Sequence, residues 1–284
     1  MLFDDFTHKE GEPAQLATHW TQTCLGTGSL HIVNSALRMY LPANPQGHYA
    51  DAQIDDYGTL ARANFPWRPP LSMTVRARSS HPAALGNATT QANSQAVLRG
   101  TAGFGFWNYP FSVRGDILML PEAVWFFYAA PPSNMALVPG IPGWGWKAQV
   151  IHAMRKESLL ATLPTAFAIG RERISRRPEH ANSAARWLQR VSGAQEALLD
   201  TITLSDWHTY QLEWLSSVAT FRVDGQVVLT APHPPTRALG FVAWLDNQYA
   251  IATPRGTLRF GATPTDEQWF EIDSIHIKPF DNPN

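Results

Sequence analysis

Cysteine is almost absent from this sequence: Cys24 is the only one in 284 residues. A single thiol excludes an intramolecular disulfide and a cysteine-rich metal centre. His19 and His31 flank it in no activating pattern, so Cys24 reads as a buried structural thiol rather than a nucleophile. Charge is sparse as well, at 16% of residues with a net charge of −1. The arginine-rich run Arg171–Arg177 is interrupted by Glu172, so no surface for nucleic acid or an anionic membrane is expected. No stretch reaches the roughly 18 consecutive apolar residues of a membrane-spanning helix. The opening Met1-Leu2-Phe3-Asp4-Asp5 is acidic and has no apolar leader, so the chain as written reads as cytoplasmic. A secreted protein stripped of its leader would read the same way.

Catalytic signatures are missing too. The ten histidines form no H-x-H or H-x-x-x-H pair, and no serine sits in a G-x-S-x-G elbow. Gly103-Phe104-Gly105 opens no helix, so it is not a phosphate loop. No cofactor is expected. What the chain does have is tryptophan and proline, with 11 and 22 residues respectively. Large flat side chains serve either as core or as stacking surfaces for ligands.

Most of the chain has strand periodicity. In Pro70–Arg78, Leu71, Met73, Val75 and Ala77 alternate with Ser72, Thr74, Arg76 and Arg78, the pattern of a half-buried strand. Ser29–Asn34 and Ala36–Leu41 flank a tight turn at Asn34-Ser35. Gly103–Asn108 and Ala123–Ala129 are nearly continuous apolar runs, as expected of central strands covered on both faces. In the last third, Asp224-Gly225 lies between two strands and is a strong hairpin signal. Between about 153 and 200 the period changes: Trp187, Leu188, Val191, Ala194, Leu198 and Leu199 fall on one helical stripe. A shorter helix is read over Met154–Leu163. This segment is taken as a helical insertion in one domain covering residues 1–284.

Trp207–Trp214 (WHTYQLEW), followed by Ala219–Val228 (ATFRVDGQVV), resembles the C-terminal half of laminarinase-like glycoside hydrolases and their lectin-like relatives. Trp269–Ile277 (WFEIDSIHI) is similar to the closing strand of that family, and Leu2–Phe6 with Ala36–Met39 suits its beginning. The likeness covers about residues 203–280, extends to 1–41 and is loose between them. It implies an all-β, two-sheet antiparallel jelly-roll sandwich of the concanavalin A-like lectin/glucanase kind. Activity does not follow, because the same fold carries lectins and hydrolases. Retaining glycosidases of this kind take two carboxylates about 5–5.5 Å apart from one strand, in an E-x-D-x-E or E-x-D-x-x-E run. Leu120–Ala129 reads LPEAVWFFYA at the corresponding place, with Glu122 as its only acid. The adjacent pairs Asp4-Asp5, Asp55-Asp56 and Asp266-Glu267 point to opposite faces of an extended chain. Glu271 and Asp273 share a face of the closing strand, which resembles the family's edge, and the resemblance makes Asp273 a weak candidate for a structural calcium ion.

The expected binding residues are Trp107, Tyr109, Trp125, Phe127, Trp144, Trp146, Trp244, Asp246, Asn247 and Tyr249, which combine stacking surfaces with amide and carboxylate groups. Three functions fit them. One is a non-hydrolytic, lectin-like oligosaccharide binder with an aromatic cleft. A second is an enzyme or carrier for a small apolar molecule in a dry pocket. The third is a divergent glycoside hydrolase. For an enzyme, the acid/base candidates are Glu122, Asp116, Asp246 and His152.

Overall fold

A computed structural model describes residues 1–7, 15–84, 96–109, 121–153, 193–252 and 258–280. Two large antiparallel sheets lie face to face. The order of the first is β13 (Gln226–Pro232), β12 (Val218–Val223), β11 (His208–Trp214), β6 (Leu71–Ser79), β17 (Gln268–Pro279), β4 (Ala36–Leu41) and β3 (Ser29–Val33), with β1 (Leu2–Asp4) also paired to β17. The second runs β10 (Gln195–Leu198), β9 (Gly145–His152), β8 (Glu122–Ala129), β7 (Thr101–Trp107), β14 (Gly240–Asp246), β5 (Asp51–Asp55) and β2 (Thr21–Leu25). A small ribbon of β15 (Gln248–Ala252) and β16 (Leu258–Ala262) follows β14.

The sequence pattern explains this layering. Along β6 every second residue is buried, as the alternation requires. Asn34 and Ser35 both have positive φ, as do Asp224 and Gly225, so both hairpins close with the left-handed pairs that match strand twist. Phe104, Phe106, Phe126, Tyr128 and Trp146 of the second sheet meet Tyr210, Trp214, Phe221 and Phe270 of the first in one core.

Three expectations need correction, and part of one of them falls outside the described residues. The helical stripe ends in a strand: Gln195–Leu198 pairs with β9, because hydrogen bonds to a sheet edge override local helix propensity even in good helix formers. The rest of the expected insertion, including Met154–Leu163, lies outside the described residues, and the one helix among those described is a 3-10 turn at Arg62–Asn64. Cys24 is exposed, because β2 is the edge strand of its sheet. The closing strand is interior, between β6 and β4.

Candidate functional site

Seen along β8, odd and even residues part company. Val124, Phe126 and Tyr128 enter the core between the sheets, whereas Trp125 and Phe127 are half-buried on the opposite, open face. Register then assembles that face from distant segments. One rung runs Glu196–Gln149–Trp125–Gly105–Val242–Asp55, and the next runs Leu198–Lys147–Phe127–Gly103–Trp244–Gln53. A third holds Ala129, Thr101, Asp246 and Asp51.

Glycine makes the aromatic floor possible. The positions of β7 beside Trp125 and Phe127 are Gly105 and Gly103, so neighbouring rings can lie across the strand. A Cβ on Gly105 would stand 2.6 Å from both Cα and Cβ of Trp125. One on Gly103 would stand 2.9 Å from the Trp244 ring. Trp125 stacks on Phe127 with ring centres 5.3 Å apart, and Trp244 lies 5.3 Å from Trp125 and 5.9 Å from Phe127. Trp107 continues the row at 5.9 Å, and Tyr109 follows at 5.3 Å from Trp107. Gly105→Ala is expected to destabilise the fold by about 1–3 kcal/mol, the usual cost of overpacking. Chemical denaturation measures this, and an unchanged midpoint would contradict the close packing.

The rings are held by their edges. Trp125 Nε1 donates to Gln149 Oε1 at 2.5 Å, and Gln149 Nε2 donates to Glu196, which also accepts from Lys147 Nζ at 3.1 Å. Trp244 Nε1 donates to Thr101 Oγ1 at 2.9 Å, and that hydroxyl donates to Asp246 Oδ1 at 2.9 Å. Trp107 Nε1 donates to the Tyr57 hydroxyl at 2.5 Å. With their N–H groups engaged, the indoles keep one orientation. Polar groups border them on both sides: Lys147, Gln149 and Glu196 on β9 and β10, and Asp51, Gln53 and Asp55 on β5.

One juxtaposition has no counterpart in the local sequence. Asp51 on β5 is directly opposite Asp246 on β14. Both are buried, at 6% and 7% exposure. Burial pushes Asp246 up to about 6, against hydrogen bonds from Gln248 N and from Thr101 N and Oγ1. Burial and then the Asp246 charge push Asp51 up to about 8. The two carboxyls titrate as a coupled pair, and burial holds both above the ordinary carboxylate range, which favours a proton on the pair near neutral pH.

The remaining expected residues fall in different places. Trp146 is fully buried between the sheets, stacked on Phe126; alternation from Lys147 turns it inward, and it cannot meet a ligand on the open face. Asn247 is also fully buried: its amide accepts from Ala50 N and donates to His48 O and Thr263 O, so its bonding capacity serves the loops. Trp144 is half-buried in the loop before β9. Tyr249 sits on the ribbon with its ring over Gly261, beyond the aromatic row. Glu122 and His152 pair across β8 and β9 at the end of the sandwich, away from Asp246. Asp116 lies outside the described residues. Asp273 faces Arg76, with Oδ1 3.3 Å from Nη1. Among the described residues no three His, Cys, Asp or Glu side chains gather as metal ligands, and no helix is long and apolar enough to cross a membrane.

Solved structures share this architecture. An endo-acting O-glycanase of the human gut microbiota that initiates mucin breakdown superposes with a TM-score of 0.53 at 10% identity, covering 99% of each chain. The GlcNAcα1-4Gal-releasing endo-β-galactosidase from Clostridium perfringens gives 0.50 at 11% identity, covering 98% of this chain and 62% of that one. No protein-family model and no curated protein matches the sequence. The chain shares its two-sheet antiparallel sandwich architecture with these two solved structures, and an aromatic row crosses the open face of its seven-stranded sheet.

Proposed function

We propose that this open face binds a carbohydrate chain. The observation that carries the reading is the continuous surface of Trp107, Trp125, Phe127 and Trp244, fixed by edge hydrogen bonds and bordered by carboxyl, amide and ammonium groups. Sugar rings present an apolar face for stacking and equatorial hydroxyls for hydrogen bonds, and this surface offers partners for both. Lys147, Gln149 and Glu196 are buried and bonded to one another, so they fix one border of the row, which leaves the half-buried Gln53 as the bordering group most open to a ligand. The fold of the glycanase neighbours is compatible with sugar binding.

A second reading, sugar cleavage, has its own support in the Asp51–Asp246 pair. Directly opposed strand residues place their Cβ atoms about 4.5–5.5 Å apart. A protonated carboxyl beside an ionised one is the division of labour that glycoside hydrolysis requires. The strand that supplies both acids in laminarinase-like enzymes presents Ala123, Trp125, Phe127 and Ala129 to the open face. Chemistry at this face would therefore use the β5–β14 pair.

Tryptophan fluorescence titrated with a panel of neutral oligosaccharides tests both readings. Saturable change is expected with at least one sugar, and Trp125→Ala is expected to weaken it about tenfold or more, equivalent to about 1.4 kcal/mol. Silence with the whole panel, or an unaltered Trp125→Ala, defeats the binding reading. Reducing ends released by the native chain and not by Asp246→Asn would establish cleavage, and no release leaves binding alone.

A further inference from the structure

At the Trp107 end of the aromatic row, where β7 leaves the sheet and β8 begins, there is a cavity of about 270 Å³. It is lined by Arg62, Arg68 and Arg237, with Asn108, Ala238 and Glu122. Glu122 is 1% exposed, and among the described residues neither of its carboxyl oxygens receives a hydrogen bond. Its backbone is firmly held: Glu122 N donates to Asn108 Oδ1 and Asn108 N donates to Glu122 O, each at 3.1 Å. His152 Nε2 lies 3.4 Å from Oε1 and counts as an ion-pair partner only when protonated, and the Arg237 charge also acts on the carboxyl, which burial pushes above its ordinary value. A carboxylate buried without donors is costly, so the site is incomplete as it stands.

Two features define what would complete it. Among the described lining residues three guanidiniums face one carboxyl, a positive balance, and planar guanidinium forks match carboxylate and sulfate oxygens. Glu122, as an acceptor, calls for a hydroxyl donor. A ligand unit must then carry an oxyanion and hydroxyls together. The position relates the cavity to the sugar-binding face. Ala238 lines it and also packs against the cluster of Tyr57, Phe65, Val242 and Trp244, while Arg62 donates from Nε and Nη2 to Tyr109 O at 3.2 and 2.9 Å.

We infer that this cavity receives an anionic sugar unit, a uronate or a sulfate ester, at the end of a chain lying on the aromatic row. The inference rests on the carbohydrate reading and narrows it to acidic polysaccharides. Hydroxyls of that unit donate to Glu122, and its oxyanion is gripped by Arg68 and Arg237. At this volume the cavity takes about one sugar ring, being at the lower limit of ligand pockets.

The test is calorimetric titration of the full chain with three probes of equal length: an oligogalacturonate, a sulfated galactan oligomer, and the unsulfated galactan. At least one acidic probe is expected to bind about tenfold tighter than the neutral one at low salt, and to lose that advantage at high salt. The two acidic probes distinguish carboxylate from sulfate. Arg68→Ala and Arg237→Ala remove exposed side chains, so the fold should persist, checked by thermal melting. They are expected to abolish the preference while leaving neutral-galactan affinity unchanged. Equal affinities for acidic and neutral probes, or a preference that survives both substitutions, overturn this inference and leave the carbohydrate reading intact. Failure of every probe overturns it too, and a failed neutral panel in the fluorescence titration then shows that the broader reading falls with it.

Discussion

Glu271→Gln is expected to lower the unfolding free energy by about 3 kcal/mol. Glu271 lies on β17 opposite Arg38 of β4 and Arg78 of β6, on the surface of the eight-stranded sheet turned away from the core. Its carboxylate is 2% exposed and serves both neighbours: Oε1 accepts from Arg38 Nη2 at 2.6 Å and Nε at 2.8 Å, and Oε2 from Arg78 Nε at 2.8 Å. The guanidiniums are sandwiched by tryptophan, Arg38 lying 4.9 Å from the Trp269 ring and Arg78 4.6 Å from that of Trp207. Removing the central charge leaves two cations flanking a neutral amide that can accept only through its one oxygen. Breaking a buried ion pair costs about 3–5 kcal/mol, and the arginines' partial exposure puts this case at the lower end. Glu213→Gln is the control, since Glu213 and Arg222 form an exposed pair at 3.5 Å; its effect should stay below about 0.5 kcal/mol. Urea denaturation of both variants checks the difference, and equal midpoints would refute the central role of Glu271.

Stability should fall as pH rises from about 4 to 8, and Asp51→Asn should remove much of that slope. Asp51 titrates at about 8 in the folded chain against an ordinary value of 3.8. Between those values the folded state holds a proton that the unfolded state has released, so raising pH favours unfolding. The contribution is complete below about pH 4 and gone above about 8. Asp246, at about 6, and Asp56, pushed up to about 7 by burial, act in the same direction over narrower windows. Asparagine keeps the shape of a protonated aspartic acid and never ionises. At about 1.4 kcal/mol per unit of pKa separation, the variant should be more stable than the native chain at pH 8 by at least about 2 kcal/mol. Thermal melting across pH 4.5 to 9 gives both profiles. Parallel curves would show that Asp51 is ionised in the native state and that the acid–carboxylate pair does not exist.

Legibility in the sequence followed the range of the forces involved. The alternation of β6 and the left-handed turns at Asn34-Ser35 and Asp224-Gly225 are local signals that the structure realises; the apolar runs of β7 and β8 do form central strands, but one face of them is open rather than covered, because aromatic side chains fill it in place of a second layer. Trp125 and Phe127 could be assigned to one face, but which face remained open until the partner sheet was seen. Trp144 and Trp146 looked equivalent between their glycines; the start of β9 separated them, sending Trp146 into the core. Glu196 was hidden in a stretch of good helix formers. Two signals were present and unread. Asp51–Asp55 (DAQID) alternates polar with apolar residues, marking a strand with acids on one side. Gly103-Phe104-Gly105-Phe106-Trp107 alternates glycine with aromatic, the pattern of a strand that others lie across.

Period-two hydrophobicity and turn chemistry act within a few residues, and by themselves they determined an all-β chain, its hairpins and its excess of aromatic surface. Only the tertiary structure decided that Asp51 faces Asp246, that three indoles share one open face, and that Glu122 ends up buried among arginines. These are matters of register between strands up to about 200 residues apart. Registry of that kind is settled by packing two sheets together, a long-range interaction that no local pattern encodes.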